Sequence, residues 1–248
     1  MTTVGVTVLR RAARYDSSHA PRPFSPPACP AGRRLWDWLM VPDVRLIAIL
    51  DPALLAGRAL VPAARDAVAG GATVIQLRMK RESAGAVLRA AGELVRGVSA
   101  PVYVNDRADI AWAVGAAGVH VGADDLPPVA LRALAPHPFA IGVSVGSPGE
   151  AAAVAGAVVD YWSIGPVFRT ASKPDAGAPI GVDGWRTLAA QAPRAMPVVA
   201  IGGIDASNAG TVIRAGAAGV AIISAICAAP DVRRAAQAIR DAVDAARH

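Results

Sequence analysis

The sequence predicts an α/β protein built as a single (β/α)8 TIM barrel, and three observations carry that expectation. Short apolar runs alternate with alanine-rich stretches of helical length, a glycine-alanine phrase recurs ahead of several runs, and polar side chains gather where the runs stop. The runs are Leu46–Leu50, 73–77, 102–104, Gly118–Val121, 140–143, Tyr161–Ile164, Val198–Ile201 and 220–223. Segments such as 84–95 and 206–215 carry Ala and Leu at helical spacing, so strands separated by helices should pair in parallel through right-handed crossovers.

The recurring phrase is Gly70-Gly71-Ala72, Gly115-Ala116-Ala117-Gly118, Gly156-Ala157 and Gly216-Ala217-Ala218-Gly219. Glycine at these points is expected to end a helix in a left-handed cap. Eight such units within residues 41–248 suit a minimal barrel. An open doubly wound sheet is the structural alternative, but no Gly-x-Gly-x-x-Gly follows the first run.

Composition narrows the function classes. With 54% hydrophobic but only 4% aromatic residues, the core must be built from Ala, Val, Ile and Leu. No apolar stretch reaches the roughly 20 residues of a membrane span, so no membrane partner is expected. The formal charge of +6 suggests a polyanion, yet residues 1–40 hold six arginines against two aspartates, a net of +4 that leaves +2 for the other 208 residues. A nearly balanced body gives no reason to expect nucleic acid. Two cysteines, Cys29 and Cys227, make neither a disulfide framework nor a metal cluster, which fits a reducing, cytoplasmic setting. Residues 1–40 crowd proline and arginine without an apolar period and read as a disordered extension. Its many arginines and few acids also suit a transit peptide, although it lacks a clear amphipathic helix or an apolar signal core; an over-extended start is a further reading, because Met40 stands just before the first strand.

In an α/β barrel the chemistry sits at the C-terminal ends of the strands, so the residues after each run are the candidates. The second run ends in Gln76-Leu77-Arg78-Met79-Lys80, two cations and an amide at a place that suits a phosphate. Asn105-Asp106-Arg107 follows the third run, and His120-Val121-Gly122-Ala123-Asp124-Asp125 spans the fourth. Carboxylates from neighbouring strand ends can share one Mg2+, which takes one or two of them together with phosphate oxygens and water. Helix capping is the competing explanation for Asp106 or Asp125 taken singly. The fifth run leads to Gly142-Val143-Ser144. The sixth leads to Gly165-Pro166-Val167-Phe168-Arg169-Thr170-Ala171-Ser172-Lys173-Pro174, whose hydroxyls and lysine suit a lid over an anion. Gly202-Gly203 and Ile223-Ser224 close the ring, where barrels that bind phosphate grip it through backbone N–H groups. His120 lies inside an apolar run and reads as a hydrogen-bonded interior residue; no Ser-His-Asp or Cys-His set can be assembled.

Taken in order over residues 46–226, these motifs resemble the thiamine phosphate synthase family. The resemblance implies a transferase that joins a pyrimidine, activated as its methyl diphosphate, to a thiazole phosphate with release of diphosphate. It implies that Gln76 and Asn105 face the pyrimidine, that Arg78, Lys80 and Lys173 meet the diphosphate, and that Asp106 and Asp125 hold Mg2+. Ser144 would hydrogen-bond the pyrimidine substrate near its leaving group, and Thr170, Ser172, Gly203, Ile223 and Ser224 would hold the thiazole phosphate. The lack of an acid/base pair suggests that the C–O bond breaks first, giving a pyrimidine cation that the thiazole nitrogen captures.

The chain departs from the family pattern at Ala123, usually Gln, at Gly146-Ser147, usually His followed by Thr or Ser, and at Arg169 before Thr170. A related thiazole tautomerase is one alternative, although that enzyme typically lacks the metal carboxylates and uses a histidine where Gly146 stands. A non-catalytic paralogue that binds thiamine precursors is another. The sequence allows a homo-oligomer without specifying one.

Overall fold

The computed structural model describes residues 42–135, 138–170, 172 and 177–247, so the expected extension over residues 1–40 lies outside the described residues. Eight parallel strands close into a barrel in chain order: β1 Leu46–Leu50, β2 Val74–Leu77, β3 Val102–Asn105, β4 Gly118–Val121, β5 Ala140–Val145, β6 Tyr161–Ile164, β7 Val198–Ile201 and β8 Gly219–Ile222. Pairing of Leu46 with Val220 and of Ala48 with Ile222 joins the last strand to the first. The strands are mostly apolar because both faces are covered, the outer by helices and the inner by the opposite wall, and their polar residues lie on the inner face near the C-terminal end. Ala48, Leu50, Ile75 and Leu77 pack outward against the helices, while Ile47, Ile49, Tyr103, Tyr161 and Val199 fill the interior.

The helices are α1 Leu60–Ala69, α2 Ala84–Gly97, α3 Ala108–Ala113, α4 Pro128–Leu134, α5 Pro148–Val154, α6 Gly181–Ala189, α7 Ala209–Arg214, α8 Ser224–Cys227 and α9 Val232–Ala245. Buried alanines such as Ala63, Ala64 and Ala67 on α1 let helices lie close to one another. Against α9 the approach is tight enough that a Cβ on Gly70 would sit 2.7 Å from the Ala236 Cβ. Helix α9 buries Val232, Ala236, Ile239 and Val243, one stripe at helical spacing. None of the described helices is long and apolar enough to cross a membrane.

Several details differ from the sequence reading, among them β2, which begins at Val74, and β8, which spans Gly219–Ile222 and leaves Ile223 beyond its end. Gly71, Gly115 and Gly216 take the expected positive φ, but Gly156 does not, and α5 ends instead on Ala155 at φ −59°. Helix α7 begins at Ala209 rather than 206, because polar side chains bind the preceding backbone first: Ser207 N–H donates to Asp205 Oδ1 at 2.8 Å, and Asn208 Nδ2 donates to the Gly203 carbonyl at 3.0 Å. Strands β3 and β5 also run on to include Asn105 and Ser144, which therefore belong to the barrel wall rather than to loops.

Gly142 is paired with His120 on one side and Tyr161 on the other, and any Cβ there would overlap Cζ, Cε1 and Oη of the Tyr161 ring. Gly142→Ala should therefore cost about 1–3 kcal/mol by overpacking, a fall in Tm of roughly 3–10 °C for a domain of this size. A thermal melt identical to wild type would mean that the ring is not seated on Gly142.

Candidate active site

Side chains alternate along a strand, so the inward series of neighbouring strands come together inside the barrel. Near its C-terminal end this series is polar, with Gln76, Asn105, His120, Ser144 and Ser163 on five successive strands bordering one cavity. Gln76, only 3% exposed, donates from Nε2 to Asn105 Oδ1 at 2.9 Å, which leaves the Gln76 carbonyl and the Asn105 amide for other partners. His120 contacts Tyr161 Oη through Nδ1 and Ser144 Oγ through Nε2, both at 2.9 Å, in keeping with an interior role.

The cations lie on the rim. Arg78 Nη1 is 2.6 Å from Asp51 Oδ2, and each side chain is 14% exposed. Asp51 follows β1 and also accepts the Ala53 N–H at 3.1 Å, so it is fixed from two sides and aims the guanidinium. The sequence reading missed this residue although it stands at a strand end; the rule used for the other strands applies to Leu50-Asp51 equally. Lys80 Nζ lies 2.9 Å from Asp106 Oδ2.

Asp106 adopts φ 65°, a left-handed conformation, and the Arg107 N–H closes the turn onto the Asn105 carbonyl at 2.8 Å. An Asp tolerates this region better than most residues, but the conformation still costs energy and such outliers gather at functional positions. Neither Asp106 nor Asp125 caps a helix: α3 follows Arg107 and α4 follows Pro127, and no side chain caps either one. Asp125 Oδ2 instead accepts the Gly122 N–H at 2.8 Å. Burial pushes the Asp125 carboxyl above the usual carboxylate range, and the Asp106 carboxyl beside it pushes the same way, against the Gly122 N–H and the Lys80 ammonium. Two carboxylates held together and disfavouring a second negative charge make a site that a divalent cation would relieve. Among the described residues no three His, Cys, Asp or Glu converge, so the donor set suits an ion that completes its shell with phosphate and water.

The loop after β6 forms the far wall. Val167 N–H donates to the Ile201 carbonyl and Phe168 N–H to the Gly202 carbonyl, both at 2.9 Å, while Ile180 and Gly181 return to the carbonyls of Pro166 and Val167. This brings Thr170 and Ser172 to the cavity. Gly203, at φ 64°, is required by the same packing, since a Cβ would fall 2.5 Å from the Arg169 carbonyl oxygen and 2.8 Å from the Phe168 Cβ. Gly203, which follows β7, and Ile223 and the exposed Ser224, which follow β8, border the same cavity as Arg78 and Lys80. Lys173 lies outside the described residues. Eleven of the thirteen sequence-derived positions thus border one cavity, and Asp125 adjoins it through Asp106.

At the departure Gly146-Ser147, the Gly146 N–H donates to Glu150 Oε2 at 2.7 Å and Ser147 Oγ accepts the Glu150 N–H at 3.2 Å, starting α5. The local turn is closed by these side chains without a histidine.

The family model described as thiamine monophosphate synthase matches residues 46–226. The thiamine-phosphate synthase of Moorella thermoacetica is 46% identical over 213 residues, covering 84% of this chain and 99% of that protein. The thiamine-phosphate synthase of Azorhizobium caulinodans is 44% identical over 209 residues, covering 83% and 97%. Among solved structures, a thiamine phosphate pyrophosphorylase from Pyrococcus furiosus superposes with a TM-score of 0.72 at 36% identity, over 83% of this chain and 98% of that one. A 3-hexulose-6-phosphate synthase, at TM-score 0.58 and 20% identity, shares the barrel fold alone. With a family model spanning all eight strands and relatives at 44–46% identity over nearly their full length, the chain belongs to the thiamine monophosphate synthase family.

Proposed function

We propose that this protein is a transferase that joins the methyl diphosphate of an aminopyrimidine to a thiazole phosphate, giving thiamine phosphate and diphosphate. The observation that carries this reading is one cavity that combines a hydrogen-bonded amide pair, the buried Gln76 and the half-buried Asn105, with two rim cations and two adjoining carboxylates. The amides offer both a donor and an acceptor to the edge of a flat heterocycle. Mg2+ held by Asp106 and Asp125 would neutralise charge on the diphosphate as it leaves.

The protein side chains do the rest. Arg78, aimed by Asp51, and Lys80 meet the diphosphate oxygens, with Lys173 as a third cation from the loop. Ser144 hydrogen-bonds near the bond that breaks, and Thr170, Ser172, Gly203, Ile223 and Ser224, beyond the ends of β6, β7 and β8, seat the thiazole phosphate. The thiazole nitrogen attacks through its own lone pair and has no proton to lose, so the rate comes from stabilising the departing charge. The C–O bond therefore breaks ahead of C–N bond formation, and the electron-rich pyrimidine carries the positive charge until the nitrogen captures it. A wall built from the loop after β6 keeps water from that cation. The free, buried thiol of Cys227, pushed up by burial to about 11, is compatible with a cytoplasmic home.

The test is a turnover assay with both substrates and Mg2+, following thiamine phosphate and diphosphate together. Equal release of the two products is expected, lost on chelation of the metal. Isomerisation of the thiazole without condensation, or binding of either precursor without any product, would sink the proposal.

A further inference from the structure

Three side chains form a hydrogen-bonded line across the barrel wall, from Tyr161 on β6 through His120 on β4 to Ser144 on β5. The line depends on Gly142, whose missing side chain lets the Tyr161 ring cross β5 to reach His120. Tyr103 stacks on the same ring with centroids 6.2 Å apart, so the phenol is clamped from the other side. Tyr161 is fully buried, His120 is 6% exposed, and Ser144 is half-buried at the cavity.

Burial decides the direction of the protons. The Tyr161 phenol is held well above its ordinary pKa, chiefly by burial and then by Tyr103 and Asp160 nearby, so it keeps its hydrogen. A buried O–H must donate, and among the described residues its acceptor is His120 Nδ1. An imidazole that accepts on Nδ1 carries its own hydrogen on Nε2, and that hydrogen points at Ser144 Oγ. The serine lone pair is then engaged, and the hydroxyl hydrogen turns away from the histidine. The opposite direction would leave the phenol hydrogen without an acceptor and present a serine lone pair to the cavity.

We propose that Tyr161, acting through His120, sets Ser144 as a hydrogen-bond donor into the cavity, which makes Tyr161 and His120 positioning residues for that serine. The consequence for turnover rests on the condensation proposed above: a donor beside the breaking bond favours a leaving oxygen that is gaining negative charge, where a lone pair would oppose it.

The tautomer can be read without substrate, by 15N NMR of histidine-labelled protein, with His120 identified by its absence from the His120→Gln spectrum. Wild type should show His120 protonated on Nε2. Tyr161→Phe, which keeps the ring over Gly142, should shift the population toward the Nδ1-protonated form. Its kcat should fall about tenfold with little change in KM, the worth of one oriented hydrogen bond. In a Ser144→Ala background Tyr161→Phe should lower kcat no further, because its effect passes through that hydroxyl. Wild-type His120 protonated on Nδ1, or a spectrum that Tyr161→Phe leaves unchanged, would overturn the relay whatever the activity. A wild type that catalyses no condensation would count against the reaction, and the tautomer would still support or overturn the relay by itself.

Discussion

Asp106→Gly should leave a barrel that melts no lower than wild type yet has lost Mg2+-stimulated condensation by a hundredfold or more, about 3 kcal/mol of barrier. The substitution separates folding from function because of the backbone. Asp106 sits at φ 65°, a region that glycine enters freely, so removal of the side chain relieves strain of about 1 kcal/mol. What folding loses is the contact with Lys80, whose side chain is 42% exposed, and a pair so open to water contributes little. On the proposed assignment, function loses half of the carboxylate pair that would hold Mg2+. Excess Mg2+ should recover part of the rate, since one ligand remains in Asp125. Wild-type turnover at low Mg2+, or a Tm several degrees below wild type, would show that Asp106 is a structural residue and not a metal ligand.

Arg78→Ala should lower kcat roughly 30- to 1,000-fold, the 2–4 kcal/mol of barrier that one charge-assisted contact to a developing anion supplies. It should also destabilise the fold, because Asp51 is only 14% exposed and would be left facing its vacant partner. Asp51→Asn separates the two effects. Asparagine keeps an oxygen for the Ala53 N–H but gives up the charge that aims Arg78, so activity should fall about tenfold with stability largely retained. In the double variant Asp51→Asn with Arg78→Ala, the two losses should not add, since Asp51 acts on the reaction through Arg78. Steady-state kinetics and thermal melts of the four proteins check this, and strictly additive losses in kcat would show that the two residues work apart.

Much of the fold is legible in the chain because a barrel strand is buried on both faces, and an apolar run bounded by glycine and polar residues has few other homes. Runs such as Leu46–Leu50, Tyr161–Ile164 and Val198–Ile201 appear in the structure at their expected limits. That Gln76, Arg78, Lys80 and Asp106 gather at one cavity is legible because parallel barrels place the residues after their strands at one face. The local competition that delays α7 to Ala209 was harder to see, since Asp205, Ser207 and Asn208 suit a helix start and a turn almost equally well.

What the sequence by itself determined is therefore the order of strands and which residues lie at their ends. Only the tertiary structure decided who meets whom: Arg78 with Asp51 across 27 residues, His120 with Tyr161 across 41, and Gly203 with the loop carrying Phe168 and Arg169. It also decided that Asp106 is held in a left-handed conformation rather than capping a helix. The physical reason is that periodicity along one strand reports only whether a side chain faces in or out. Its lateral neighbour is set by the register between strands, and the small residue that lets a ring cross from one strand to another, as Gly142 does for Tyr161, looks in the sequence like any other glycine.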